Sequence, residues 1–261
     1  MVVVRIVLRY LLISIFVFLQ ACKHADENTE PETKKTDLSK AASYNMQLGL
    51  GYLKQGDRPR AKKKLLTAME QEPNSADVNA AMAYYFEQTN ELDEAKKYYL
   101  KAISLSSGGG AQLNNYGTFL CRQGDYKKAE TYFLKAVKDV QYINTSAAYE
   151  NAGLCALAIP DNDKAKLYFT NALDQDPSRK ESLYELVKLE SKMGHDAEAY
   201  SLLQKHPDLV LNDRYFLPLA KDIAIKTGNY AVAAQYENNF RKMESTTDNS
   251  GVNDEYNSHN G

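Results

Sequence analysis

Alanine recurs at a fixed interval along the middle of this chain. Ala61, Ala95 and Ala129 are 34 residues apart, and Ala165 follows after 36. Each lies in the same frame. A small residue stands twelve positions earlier, then comes a turn, the alanine, an aromatic residue or leucine four later, and a second alanine three after that. Gly49, Ala61, Leu65, Ala68 and Pro73 thus correspond to Gly117, Ala129, Phe133 and Ala136, and to Gly153, Ala165, Phe169, Ala172 and Pro177. Such a period describes one supersecondary unit used repeatedly, each copy packing on its neighbours.

The residues say what the unit is. Small residues at Gly49, Ala83, Gly117 and Gly153 and at Ala61, Ala95, Ala129 and Ala165 let two helix backbones approach closely. Leu65, Tyr99, Phe133 and Phe169 fill the space toward the next copy. Gly56, Asn90 and Gly124 fit left-handed caps of first helices, and Pro73 and Pro177 mark stops after second ones. This is the tetratricopeptide (TPR) pattern. It predicts an all-α superhelix of six helix-turn-helix repeats at 42–75, 76–109, 110–145, 146–179, 180–213 and 214–243, within a domain spanning 41–243. The last two repeats are weaker. Leu186, Gly194, Ala199 and Leu203 mark the fifth, and Ala220, Gly228 and Ala233 the sixth. Pro218 is expected near the first turn of its helix.

The ends differ in composition. Arg5 and Arg9 precede the apolar run YLLISIFVFL, which has signal-peptide length and is short for a spanning helix. Ala21 and Cys22 follow in LQAC, which resembles a bacterial lipobox. The expectation is a cleaved signal over 1–21 and a lipid on Cys22. An uncleaved anchor and an ordinary secretory cleavage are the alternatives. Residues 22–40 are polar and charged and read as a flexible tether, and 244–261 as a disordered tail.

Chemistry-bearing patterns are scarce. A net charge of −2 gives no footprint for nucleic acid. His24, His195, His206 and His259 have no metal-ligand spacing. The run Gly108 to Gly110 lacks the lysine and strand of a phosphate loop and reads as an inter-repeat turn. Asp161, Asp163, Asp174 and Asp176 read as helix caps and solvated turn residues. No nucleophile motif is present. The expectation is a non-enzyme without catalytic residues, metal or cofactor.

Two site readings remain. Cys121 and Cys155 lie on the first helices of neighbouring repeats and form either a disulfide or two buried thiols. Binding is expected on first-helix residues facing the concave side. These are Met46, Leu50 and Leu53; Ala80, Tyr84 and Glu87; Asn114 and Thr118; and Glu150, Leu154 and Leu157. The first repeat's apolar strip fits a peptide groove or, alternatively, a cap on the preceding segment.

Three stretches carry a further resemblance: YNMQLGLGYLKQGDRPRAKKKLLTAMEQEP (44–73), NNYGTFLCRQGDYKKAETYF (114–133) and AYENAGLCAL (148–157). They resemble the PilF/PilW family of outer-membrane TPR lipoproteins of type IV pilus biogenesis. NNYGTFLC is the most specific of them. Pro160 and Gly108 to Gly110 depart from the usual pattern. The resemblance implies a pilotin, monomeric when free. It would hold a secretin subunit non-covalently at the periplasmic face of the outer membrane and aid its localisation, assembly or stability. Lys23 in place of Asp after the lipobox cysteine favours that membrane. A TPR scaffold for barrel assembly or cell-wall synthesis is the alternative.

Overall fold

The computed structural model describes residues 32–256, with side chains over 37–245. The signal segment, Cys22 and residues 23–31 lie outside the described residues. Among the described residues there are thirteen helices and no strand. They fall into two units, the first ending at Pro73 and the second beginning at Asn74.

The first unit is a helical hairpin of α1 (Glu32–Lys54) and α2 (Arg58–Gln71). Ala42 and Leu53 of α1 and Ala61, Leu65 and Ala68 of α2 are buried in it. A Cβ on Gly49 would stand 2.6 Å from Leu65 Cγ, so only glycine allows this approach. Asp57 caps α2 by accepting from the Arg60 amide at 3.0 Å.

The second unit pairs α3 (Ala76–Gln88) with α4 (Leu92–Leu105) and α5 (Gly110–Arg122) with α6 (Tyr126–Val137). It continues with α7 (Thr145–Leu157) and α8 (Asn162–Gln175), then α9 (Lys180–Lys192) and α10 (Asp196–Lys205). The five-residue α11 (Pro207–Leu211) precedes the last pair, α12 (Phe216–Lys226) and α13 (Tyr230–Tyr256). One apolar core runs through this unit from Ala83 to Tyr236. Phe133, Phe169, Phe216 and Leu203 are among its fully buried side chains, each worth about 1.5–3 kcal/mol of burial.

Each hairpin turn closes in the same way. The amide three residues past the helix, or four in the fourth turn, donates to a carbonyl five residues back: Asp57 to Tyr52, Glu91 to Phe86, Asp125 to Leu120, Asp161 to Ala156, His195 to Glu190 and Asn229 to Ala224, all at 2.7–3.0 Å. Asn90 takes the left-handed position at φ 65° in the second turn, where Gly124 stands at 80° in the third. Pro160 holds that place in the fourth. It has no amide to give, so the Asp161 bond closes that turn.

Three boundaries differ from the sequence expectation. Residues 32–40, assigned to the tether, are the first turns of α1. Ala42 is buried and Ser39 donates to Glu72 at 3.2 Å, and a helix nucleated by such packing extends backward at one hydrogen bond per residue. By the same propagation α13 continues through residues 244–256, assigned to the tail. Gly110 is the first residue of α5, not a turn residue. A Cβ there would meet Tyr142 Cβ at 2.5 Å, and its amide donates to Asp139 at 2.7 Å.

The close approaches predict opposite effects for two glycines. A Cβ on Gly153 would stand 2.6 Å from Phe169 Cε1, whereas one on Gly51 has nothing within 4 Å. Gly153→Ala is expected to lose about 1–3 kcal/mol in urea unfolding. Gly51→Ala is expected to gain about 0.5–1 kcal/mol from helix propensity.

Candidate functional site

The first helices of neighbouring pairs in the second unit lie side by side, α3 with α5, α5 with α7 and α7 with α9. Polar and covalent ties join them. Arg122 donates to Glu87 through Nε at 2.5 Å and Nη2 at 2.8 Å. Gln112 donates to Asp77 at 2.8 Å, and Asn151 to Asn114 at 3.0 Å. Glu150 accepts from Arg179 at 2.9 Å and from the Ser182 hydroxyl at 2.8 Å. Cys121 of α5 and Cys155 of α7 are disulfide-bonded, with Cα atoms 5.8 Å apart.

These ties sort the predicted binding residues of the second unit. The Glu87 side chain is only 5% exposed, because Arg122 and the Tyr99 hydroxyl at 3.0 Å both hold it. Asn114 and Ala80 are buried, and Glu150 is spent on Arg179 and Ser182. Thr118 turns its hydroxyl back to the Asn114 carbonyl at 2.9 Å. Leu157 packs half-buried on the core. Tyr84 and Leu154 remain exposed, each at 38%. Tyr84, Thr118 and Leu154 hold the ninth position of their repeats, so they form one row across α3, α5 and α7.

In the first unit Met46 and Leu50 are half-buried, and Leu53 belongs to the hairpin core. The buried face of α1 follows Ala42, Gly49 and Leu53, so Leu38, Tyr44 and Leu48 are left outward. Tyr44 and Leu48 were missed because the repeat register, not the observed buried face, selected the candidates. An aromatic cleft of about 280 Å³ beside Tyr184, Tyr215 and Phe216, edged by Lys180 and Asp213, was also missed. The adjacent Tyr215 and Phe216 in a degenerate repeat were its only sequence signal.

A second cleft, of about 300 Å³, is walled by Tyr126, Lys127, Glu130, Ile159, Lys164 and Tyr168. Glu130 accepts from Lys164 at 2.8 Å and from the Tyr168 hydroxyl. Burial opposes ionisation of Glu130, but these two hydrogen bonds outweigh it and hold its carboxyl below the usual range. Burial, reinforced by Glu130, pushes the Tyr168 hydroxyl well above its usual range. Burial does the same to Tyr99, with Glu87 adding to it. These phenols stay neutral and donate to carboxylates. No group of three or more His, Cys, Asp or Glu among the described residues could hold a metal ion. No described helix is long and apolar enough to cross a membrane.

A tetratricopeptide-repeat family model matches residues 46–110 and 117–180. The type IV pilus assembly protein PilF of Pseudomonas aeruginosa is 40% identical over 141 residues, which is 53% of this chain and 56% of PilF. The chain carries tetratricopeptide repeats and is homologous to PilF. The match spans little more than half of that curated relative's length. A solved structure of Pseudomonas aeruginosa PilF aligns with a TM-score of 0.64 at 29% identity, covering 80% of this chain and 99% of that one. The crystal structure of PilW, described as a widely conserved type IV pilus biogenesis factor, aligns at 0.62 and 24% identity, covering 77% and 92%. PilW therefore speaks to the fold alone. The repeat fold and the homology to PilF point to a protein-interaction module.

Two measurements check the ties. The disulfide closes a loop of 34 residues in sequence separation, so Cys121→Ser with Cys155→Ser is expected to lose about 2–4 kcal/mol in urea unfolding. Because the Glu130 carboxyl is held low, its stabilisation is present above the ordinary carboxylate pKa and is lost as pH falls through the folded value. Glu130→Gln is therefore expected to flatten the fall of the thermal midpoint below about pH 4.5. An unchanged slope would show that other carboxylates carry it.

Proposed function

We propose that the chain is a non-enzymatic scaffold in type IV pilus biogenesis. It is attached by lipid on Cys22 to the periplasmic face of the outer membrane, where it binds the pilus secretin and promotes its localisation, assembly or stability. The 40% identity to the type IV pilus assembly protein PilF carries this reading. The site supports it. The first-helix layer of the second unit is internally tied and presents the exposed Tyr84 and Leu154 on either side of Thr118, a surface suited to an extended or amphipathic peptide. Binding there needs no covalent step, nucleotide or metal.

The test is crosslinking and pull-down of the tagged chain from outer membranes, with the partners identified. Secretin subunits are the expected capture. Leu154→Asp is expected to weaken it at least about fivefold, because a charge replaces an exposed apolar contact. Capture of barrel-assembly or cell-wall enzymes without secretin would replace the pilus reading. Undiminished capture by the variant would remove this row from the site. Leu50→Asp in the first unit gives the same readout for the hairpin.

A further inference from the structure

The first half of α2 crowds cations. Arg58, Arg60, Lys62, Lys63 and Lys64 fall within seven residues, and Lys54 stands across the turn. Ala61, Leu65 and Ala68 bury one side of the helix. Arg58, Arg60, Lys62 and Lys63 are exposed, as is Lys54. Two of the six are engaged within the hairpin. Arg60 pairs with Asp57 and lies 4.7 Å from the Tyr52 ring centre, and Lys64 donates to Asn45 at 3.2 Å. Among the described residues, no ion pair engages Lys54, Arg58, Lys62 or Lys63.

Helix stability does not explain this placement. The N-terminal turn favours acids and the C-terminal turn favours bases. Helix α2 has no acid in its first turn and no base in its last, where Glu70 lies, and Glu72 follows as its C-cap. The excess is also local, since the whole chain carries −2. A cluster of unpaired cations on an acidic protein is an electrostatic footprint for an anionic partner.

We propose that this patch is a membrane-surface contact that binds the anionic phospholipid headgroups of the bilayer to which Cys22 attaches the chain. The inference rests on the lipid-anchor reading above and adds how the first unit meets that surface. Nine residues separate Cys22 from Glu32, a reach of at most about 30 Å. Helix α1, with 23 residues, is about 35 Å long. That bound is close to the helix length, so chain length does not bar the turn between α1 and α2 from the surface that holds Cys22. Leu66, one turn beyond Lys62 and Lys63, is 42% exposed and adds an apolar contact among the cations. The lipid alone gives attachment without orientation. The patch supplies a second, salt-sensitive contact that turns this end of the hairpin to the membrane.

The experiment uses the mature chain with Cys22→Ser, which carries no lipid. It is co-sedimented with vesicles of phosphatidylcholine alone and of phosphatidylcholine mixed with phosphatidylglycerol. Binding is expected only to the mixed vesicles and should fall as salt is raised. Each cation removed is expected to weaken it about fivefold, so Lys62→Gln with Lys63→Gln loses about 25-fold. Lys135→Gln with Lys138→Gln, an exposed pair at the C-terminal end of α6, should change nothing. Absent binding to the mixed vesicles, undiminished binding by the Lys62 and Lys63 variant, or an equal loss from the α6 pair would overturn the proposal. So would capture of a soluble polyglutamate peptide without vesicle binding, which would make the partner an acidic protein. The anchor is read separately, by whether Cys22→Ala releases the protein from outer membranes in cells. Its failure leaves the vesicle result standing, and the converse also holds.

Discussion

Two helices approach until a single methyl group would not fit between them, and the rest of the architecture follows from that contact. At Gly117 and Gly153 a Cβ would stand 2.8 and 2.6 Å from the rings of Phe133 and Phe169. Gly49 meets Leu65 in the same way. The hairpin is therefore tight enough for one aromatic or leucine to seal it. In the second unit the seals join one core from Ala83 to Tyr236. No hairpin there buries its apolar residues by itself, so neighbouring pairs stabilise one another.

Apolar packing fixes each hairpin, but polar and covalent ties fix the register between them. Glu87 with Arg122, Asn114 with Asn151, and Cys121 with Cys155 each join the first helix of one pair to the next. A surface meant to present a row of side chains needs such registration, because a flexible row loses binding energy to ordering. The ties also use up groups that otherwise look available. Glu87, Glu150 and Asn114 are polar first-helix residues, yet each has its hydrogen bonds taken inside the unit. What remains outward on that layer is apolar at Tyr84 and Leu154.

The sequence shows the repeat clearly where one residue type answers one steric demand. Gly117 with Phe133 and Gly153 with Phe169 are read correctly from spacing, because a glycine there lets a large apolar residue of the second helix come within reach of its backbone. The left-handed turn positions Gly56, Asn90 and Gly124 are read for the same reason. Helix ends are less legible. Residues 32–40 have the composition of a tether, and their helical state depends on contacts made farther along α1. The site is less legible still. A register assigns Glu87 and Leu154 to the same layer, but burial makes the first a strut and leaves the second a contact.

By itself, then, the chain determined the repeat length, the number of helical hairpins and the positions where backbones must touch, because close packing tolerates only small residues there. It also placed the cation cluster of α2, which is a matter of order along one helix. The tertiary structure decided which polar side chains are free. A carboxylate on a helix looks the same in sequence whether water or an arginine from the next repeat faces it. The difference lies in desolvation and hydrogen bonding, which arise only when residues more than thirty positions apart are brought together.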